Sequence, residues 1–371
     1  MNEIIVKSIS EYIDEISKII REKKECFTIV FRGECECFEV PCQPKIFRDK
    51  YLEENMFFEK NLFEEMEANK ITDGGTYLEK AIDAQHIGFP TRLLDVTYNC
   101  LVALYFATTP YYDKPEDSSD SKDGSVYVFF IENLFCPSAD NTNEIYDSIV
   151  NRTENYINTS SLFQKNHKFI GHIKANNRII AQQGAFILFQ GNELSPITKS
   201  EYLKIRVANE DKKTIRKDLN LLFGIHTGSI YPEKNNLVNQ ITKNSFNINN
   251  EELSLKTEID LSIHKLLKHL EYYHSKFIEL KFYKNKMLSE EILNYVKECE
   301  ENIYSYKLGL QQLLSGCNKD EKENLKILDS GIKVYNTVLK TFSKNIEPYI
   351  NEAKINFSLD ELLIKGKTNE Y

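Results

Sequence analysis

The chain of 371 residues contains no tryptophan, and its aromatic side chains are 21 tyrosines and 22 phenylalanines. It has no apolar run of the roughly 20 residues that a membrane-spanning helix needs, which argues against a membrane protein. Positive charge is not in excess, since 56 acidic residues outnumber 47 basic ones and the formal net charge is −9. This balance disfavours the uniformly basic surface of a general nucleic-acid binder, so we expect neither a membrane nor a nucleic-acid partner.

The N-terminal segment lacks the apolar core of a secretion signal and is typical of an amphipathic helix. We therefore expect a cytoplasmic protein whose eight cysteines remain reduced. Cys26, Cys35, Cys37 and Cys42 are close in sequence, but their spacing matches no common zinc motif. Free thiols are the preferred interpretation, and the sequence predicts no metal site.

The composition changes near residue 245, and the length alone favours two domains. Ten of the fourteen glycines and eight of the nine prolines precede this point, together with the β-rich runs CFTIVFRG, GSVYVFFI and GAFILFQG. We predict an α+β domain for residues 1–245. In residues 246–371, apolar side chains recur every three or four positions, which predicts an all-α helical bundle or hairpin. Its apolar stripes are also suited to a protein target or to homo-oligomerisation.

Three polar segments of the first domain are candidates for chemistry. The first is Phe31-Arg32-Gly33 at the end of a β-rich run. An arginine at a strand end presents a planar fork to phosphate or carboxylate, and a glycine lets the backbone approach a ligand. The alternative is a structural arginine that is paired within the domain.

The second segment, QHIGFPTRLLDVTYNCLVALYFA at 85–107, concentrates polar side chains before an apolar helix. We expect Thr91 or Asp95 to cap that helix and Arg92 to pair with Asp95. The density of polar groups favours a ligand site, although a satisfied structural histidine is the alternative for His86. The candidate ligand-binding residues here are Gln85, His86, Thr91, Arg92, Thr97 and Asn99.

The third segment, NNRIIAQQGAFILF at 176–189, places Arg178, Gln182 and Gln183 before a strand that is apolar almost throughout. Glutamines at the mouth of a buried strand need hydrogen-bond partners, which are either neighbouring loops or a ligand. We include Arg178 and Gln182 among the ligand-binding candidates.

In this order the segments resemble the FRG domain family, named after its F/Y-R-G motif. QHIGFPTRLLDVTYNCLVALYFA is similar to the central block of the family, and RIIAQQGAFIL is similar to a later one. LLFGIHTGSIYPEKNNLVNQI, at 221–241, resembles the closing block. The chain departs from the pattern at Glu34, where glutamine is usual, at Val96, where tryptophan is usual, and in the loosely matching segment 38–48. The resemblance covers about residues 27–242.

The order of the motifs is also similar to that of ADP-ribosyltransferases. This second resemblance implies an ADP-ribosyltransferase-like mixed β-sheet with flanking helices and NAD as the substrate. It implies that Arg32 holds the NAD phosphates and that residues 91–97 shape the nicotinamide pocket. Gln183 stands where those enzymes carry a catalytic glutamate on a strand. We expect the catalytic residues to be Arg32, Asp95 and Gln183.

A neutral glutamine cannot stabilise developing positive charge as a carboxylate does. Either Asp95 or Glu34 supplies the charge, or the domain binds a nucleotide without turning it over. The resemblance favours an NAD-using effector in bacterial defence or a toxin-like system. A non-enzymatic nucleotide-binding switch and a nucleic-acid-processing enzyme are the alternatives.

Overall fold

The computed structural model describes residues 4–22, 28–72, 74–153, 159–171, 176–233, 238, 241–242, 244–246, 248, 253–281, 288–318 and 321–365. The chain divides into two compact units, residues 1–247 and 248–371. The first combines a mixed sheet with helices and the second is helical. The predicted α+β class is confirmed.

Within the described residues, the first unit is built on a seven-stranded sheet of order β1-β7-β4-β2-β3-β6-β5. Only the pair β1 and β7 is parallel, so the sheet is mixed. The strands are β1 (Ile4–Val6), β2 (Thr28–Glu34), β3 (Leu93–Thr97), β4 (Gly124–Ile131), β5 (Lys168–Ile170), β6 (Gly184–Leu188) and β7 (Tyr202–Val207).

The sheet opens at its centre. Strand β2 pairs with β4 over its whole length, from Thr28 opposite Ile131 to Glu34 opposite Ser125. With β3 it pairs only where Phe31 faces Thr97. Because Thr97 is the last residue of β3, the two antiparallel strands diverge from this single pair toward Glu34 and Leu93. The divergence creates space between two central strands.

Helices cover one face of the sheet in two groups on either side of this opening. Helices α1, α5 and α8 pack over the half that contains β2, whereas α3, α4 and α6 pack over the half that contains β3. The helices of this unit are α1 (Ile9–Glu22), α2 (Tyr51–Glu54), α3 (Phe58–Ala68), α4 (Tyr77–Ile87), α5 (Cys100–Thr108), α6 (Ala139–Asn151), α7 (Asn177–Gln182), α8 (Lys212–Phe223) and α9 (Thr227–Ile230).

Two local expectations were wrong. The N-terminal segment begins with strand β1, and its amphipathic helix starts only at Ile9. Neither Thr91 nor Asp95 caps the apolar helix, because residues 93–97 form β3 and Asn99 is the N-cap of α5. The Asn99 side chain accepts hydrogen bonds from the backbone N–H groups of Leu101 and Val102. The run LLDVT is apolar at alternate positions, as in a strand.

The second unit consists of long amphipathic helices, as the apolar periodicity predicted. They are α10 (Leu255–Lys281), α11 (Leu288–Gly316), α12 (Lys322–Ala353) and the short α13 (Leu359–Leu362). The predicted stripe of α10 is buried at Ile259, Ile263, Leu266, Leu270, Tyr273 and Phe277. Pro348 lies within α12 and does not end it. None of the described helices is both long and apolar enough to cross a membrane.

Candidate functional site

The opening between β2 and β3 leads into a cavity of about 210 Å³. Residues from strands β2, β3 and β6, from three helices, from the loop after α5 and from the segment after α9 converge on it. Of the candidates predicted from sequence, seven line it: Arg32, Gln85, His86, Asp95, Thr97, Arg178 and Gln182. Apolar and aromatic side chains complete the wall, among them Phe31, Phe106, Tyr111, Phe186 and Tyr231.

Arg32 spans the gap between the two central strands. Its Nη1 donates to the backbone carbonyl of Asp95 at 2.8 Å, and its Nε donates to Glu34 Oε1 at 3.0 Å. Burial lowers the pKa of the Arg32 guanidinium, but the charges of Glu34, Cys42 and Asp95 outweigh this and leave the pKa above its usual value. Arg32 is therefore a fixed cation, oriented by Glu34 and exposed over 15% of its side chain.

Glu34 is buried, and its carboxylate accepts the hydrogen bond from Arg32 Nε that orients the guanidinium. Its Oε1 also accepts the backbone N–H of Cys42 at 3.0 Å. Its Oε2 is buried and has no hydrogen-bond partner among the described residues. The carboxylate at this departure from the family pattern thus serves to neutralise and orient the arginine.

Asp95 brings an exposed carboxylate to the cavity. Its Oδ2 accepts a hydrogen bond from Gln85 Nε2 at 2.7 Å. Gln85 Oε1 in turn accepts from the hydroxyl of Thr91 at 2.5 Å, and Thr91 is fully buried. Because the hydroxyl fixes the amide oxygen, the amide nitrogen of Gln85 must face Asp95. Thr91 therefore does not line the cavity but orients a residue that does.

Arg178 supplies a second cation from α7. Its Nε donates to Glu233 Oε1 at 2.7 Å, and its Nη1 donates to the backbone carbonyl of His86 at 3.0 Å and to the Tyr111 hydroxyl at 3.3 Å. Burial lowers the pKa of the Arg178 guanidinium, but its interactions with Glu233 and Tyr111 raise it by more. The pKa therefore lies above the usual value. The side chain is 11% exposed.

His86 lies beside this pair. Its Nε2 is 3.6 Å from Glu233 Oε1, and its Nδ1 is buried without a hydrogen-bond partner among the described residues. Burial and the charge of Arg178 lower the pKa of His86, although Glu233 and Asp83 oppose the shift. The imidazole is therefore neutral at neutral pH, and its Nδ1 can accept a proton or a hydrogen bond.

A cluster of tyrosines forms one wall. The Arg178 guanidinium lies 5.3 Å from the ring centre of Tyr112 and 5.0 Å from that of Tyr231. The Tyr111 and Tyr112 rings are 4.4 Å apart, and Tyr112 is 4.8 Å from Tyr231. Burial raises the pKa of Tyr111 to about 12, so its hydroxyl remains protonated. Aromatic faces beside fixed cations suit a ligand that carries both a planar ring and negative charge.

Thr97 and Gln182 join the ends of β3 and α7. The Thr97 hydroxyl donates to the backbone carbonyl of Gln182 at 2.6 Å and accepts the backbone N–H of Asn99 at 3.0 Å. Gln182 Nε2 donates to the carbonyl of Ile230 at 3.2 Å. Both residues line the cavity, whereas Asn99 serves as the helix cap and lies outside it.

Arg92 does not pair with Asp95 and does not face the cavity. It is 2% exposed and pairs with Glu59 through an Nε–Oε2 contact of 2.6 Å. Its Nη1 donates to the backbone carbonyls at positions 189–191. Tyr146 donates to the second oxygen of Glu59 at 2.7 Å. Because successive side chains of β3 point to opposite faces, the expected Arg92–Asp95 pair is not formed.

Gln183 is outside the cavity as well. It ends α7 in the left-handed region with φ 47°, and its side chain is exposed. Its backbone carbonyl accepts the N–H of Tyr98. The three predicted catalytic residues therefore separate: Arg32 and Asp95 converge, and Gln183 does not. Gln182, one position earlier, lines the cavity instead.

Gly33 is required by packing rather than by a ligand. A Cβ atom at this position would lie 1.9 Å from the backbone carbonyl oxygen of Ala103 and 2.6 Å from the backbone nitrogen of Ala107. Both atoms belong to α5, which therefore crosses β2 in direct backbone contact. The glycine of the Phe-Arg-Gly segment thus sets the distance between this helix and the sheet.

Sequence reasoning missed Tyr111, Tyr231 and Glu233. A signal existed for the last two, because both belong to the segment YPEK within the closing block. Residues 234–237 and 239–240 of that block lie outside the described residues. Across the described part of the chain, no group of three or more His, Cys, Asp or Glu side chains is placed to hold a metal ion.

The family model of the FRG domain matches residues 28–116. The match includes Arg32, Gln85, His86 and Asp95, and it ends before Arg178. No curated protein matches the chain, and no solved structure matches it either. Residues 28–116 therefore match an FRG domain, and residues from the α7 segment, β6 and the segment after α9 complete the cavity wall.

Proposed function

We propose that the N-terminal unit of this FRG-domain protein binds NAD and cleaves its nicotinamide–ribose bond, transferring ADP-ribose to an acceptor or to water. One observation carries the proposal: the exposed carboxylate of Asp95 lies in a cavity that is also lined by the cations Arg32 and Arg178. The tyrosine wall offers a surface for the nicotinamide ring.

The reaction assigns a task to each group. The bond between the ribose C1′ and the nicotinamide nitrogen breaks, and its electron pair leaves with nicotinamide. The ribose becomes positively charged, and the Asp95 carboxylate stabilises this charge. The oxygen of water or of an acceptor hydroxyl then attacks C1′ and loses its proton to Asp95. Gln85 holds the carboxylate in place throughout.

This assignment gives Asp95 the role that the resemblance to ADP-ribosyltransferases gave to Gln183. The absence of a glutamate at position 183 is then no obstacle, because the charge comes from β3. Arg32 and Arg178 contribute positive charge toward the NAD phosphates. Both arginines are held by carboxylates, so they need little reorganisation when a ligand binds.

The test is NAD consumption by purified protein, followed by the release of nicotinamide. Asp95→Asn keeps the shape of the side chain and an oxygen for Gln85, and we expect it to reduce turnover by about 10²–10³-fold. Glu193→Gln, at an exposed carboxylate outside the cavity, is the matched control and should leave the rate unchanged. Equal rates for wild type and Asp95→Asn would refute the assignment.

In a cell, the same activity suits a toxin-like effector of bacterial defence, with the helical unit binding a target or a second copy of the chain. Expression of the wild type should then deplete NAD and arrest growth, and expression of Asp95→Asn should do neither. Depletion by both variants would place the activity elsewhere in the chain. Deletion of the helical unit would separate target binding from catalysis.

A second candidate function is a nucleotide-binding switch without turnover. It is favoured by Arg32, whose Nε and Nη1 already donate to Glu34 and to the carbonyl of Asp95. In this case a nucleotide should raise the melting temperature, because a ligand that binds only the folded state stabilises it. Stabilisation by NAD without release of nicotinamide would select this function over the first.

A further inference from the structure

The cavity is too small for a whole dinucleotide. Its volume of about 210 Å³ lies below the roughly 300–1,000 Å³ of pockets that enclose drug-sized ligands. A molecule of the size of NAD must therefore extend beyond it. The ligand would extend past Tyr112, because this ring contacts Arg178 and Tyr231 of the cavity wall and also lines a second cleft.

This second cleft has a volume of about 1030 Å³ and lies between the loop after α5 and helix α8. The two spaces have no lining residue in common, but neighbours along the chain line one or the other. Phe106 lines the cavity and Tyr105, its neighbour on α5, lines the cleft. Tyr111 and Tyr112 are divided in the same way, with 4.4 Å between their ring centres. The ring of Tyr112, which lines the cleft and lies 4.8 Å from that of Tyr231, therefore adjoins both spaces.

Several charges of the cleft are already paired. Arg216 forms two hydrogen bonds with the Asp120 carboxylate, at 2.7 and 2.5 Å. Glu116 accepts a hydrogen bond from the Thr227 hydroxyl at 3.0 Å. The Thr227 hydroxyl in turn lies 3.0 Å from that of Tyr105. These contacts shape the cleft, and its remaining charge comes from Glu116, whose partner hydroxyl is neutral, and from other side chains.

That remaining charge is positive. Three exposed lysines line the cleft, namely Lys114, Lys213 and Lys217, against two carboxylates without a cationic partner in the cleft, Glu116 and Asp117. Lys213 and Lys217 are four residues apart on α8 and therefore share a face of the helix. Two ammonium groups on one face, in a cleft that the ring of Tyr112 also lines, suit a nucleobase and its phosphate.

We infer that this cleft binds the adenosine-phosphate half of the dinucleotide, with the base against Tyr112 and the phosphate of that half against Lys213 and Lys217. The inference rests on the proposed function for the identity of the ligand, and it extends the site beyond the cavity. The reacting half occupies the cavity beside Asp95. Tyr112 separates the two halves and is in contact with both.

Calorimetric titration with AMP and ADP-ribose tests the inference on the full-length chain. The variant Lys213→Glu/Lys217→Glu should weaken the binding of both ligands by at least about tenfold, because two charge-assisted contacts are lost. Lys18→Glu/Lys199→Glu changes the net charge equally at two exposed lysines outside both spaces and should bind as wild type does. The single variant Lys217→Ala provides a milder change, with a smaller loss expected, in case the double variant does not fold.

The outcomes separate this inference from the proposed function. Lysine-dependent binding of AMP supports the cleft as a nucleotide site even if NAD is never cleaved. Wild-type binding of ADP-ribose by the double variant overturns the inference, even if NAD cleavage depends on Asp95. Absence of AMP and ADP-ribose binding by the wild type also overturns it. Nicotinamide mononucleotide, which lacks the adenosine half, should bind wild type and the double variant more nearly alike.

Discussion

Arg92 and Arg178 have the same type of side chain but lie in opposite environments, one in the protein interior and one at the cavity. Both were predicted to bind a ligand, and each is paired with a carboxylate. Arg92 is 2% exposed, and its donors are directed to Glu59 and to three backbone carbonyls. Arg178 is 11% exposed, pairs with the partly exposed Glu233 and presents its guanidinium to a cavity.

This contrast shows that the density of polar residues in a motif does not identify the ligand-binding ones. Arg92, directly before β3, and Asp95, on β3, are three positions apart, yet one stabilises the interior and the other lines the site. The hydrogen-bond partners distinguish Arg92 from a ligand-binding residue, because a buried arginine that donates to a buried carboxylate and to backbone carbonyls has little capacity left for a ligand. The same contrast between interior and cavity can be tested at three levels.

The largest effect is expected from the two arginines themselves. Arg92→Met leaves the buried Glu59 without its partner and should lower the free energy of unfolding by about 3–5 kcal/mol. Arg178→Met removes a more exposed pair and should cost about 1 kcal/mol while weakening ADP-ribose binding. Urea denaturation measures the first quantity and calorimetry the second. Equal losses of stability in the two variants would remove the distinction.

Two histidines extend the comparison to pH. Burial lowers the pKa of His167, which is 9% exposed, to about 4, whereas an unfolded histidine titrates near 6.5. Below about pH 6.5 the unfolded chain binds a proton that the folded chain does not. The free energy of unfolding should therefore fall as pH drops, by about 3 kcal/mol at pH 4.

The control for this prediction is His167→Phe, which removes the titrating group but keeps an aromatic ring against Phe189. Subtracting its pH profile from that of the wild type removes the contribution of the carboxylates. Burial and Arg178 also lower the pKa of His86, but its side chain is 30% exposed, so we expect a smaller effect there. Identical profiles for wild type and His167→Phe would contradict the prediction.

The smallest effect concerns the neighbours Gln182 and Gln183. Gln183→Gly places a glycine at φ 47°, a conformation that suits it at a helix end, and should change stability by less than about 1 kcal/mol. NAD cleavage should persist in this variant. Gln182→Ala should weaken ligand binding because it lines the cavity. Loss of turnover in Gln183→Gly with wild-type stability would restore a catalytic role to residue 183.

The sequence was informative where the signal is local. The runs at β2, β4 and β6 and the apolar stripe of α10 were predicted because alternation and helical periodicity reflect burial directly. Strand β1 was missed because three residues give too little pattern. The Arg92–Glu59 pair joins residues far apart in sequence, so no local spacing reveals it. Arg32 and Asp95 were expected to lie together because the order of the motifs in the resemblance relates segments that are far apart in sequence. Apolar periodicity gives no information of this kind.

The divergence of β2 and β3 has a mechanical consequence. Strands β1, β7, β4 and β2 form one half-sheet and β3, β6 and β5 another, with the Phe31–Thr97 pair as their backbone ladder contact and Arg32 as a strut to Asp95. A ligand bound between β2 and β3 would contact both half-sheets where the backbone pairing is missing. Ligand binding should then couple the two half-sheets. We expect slower amide hydrogen exchange in β3 when the cavity is occupied.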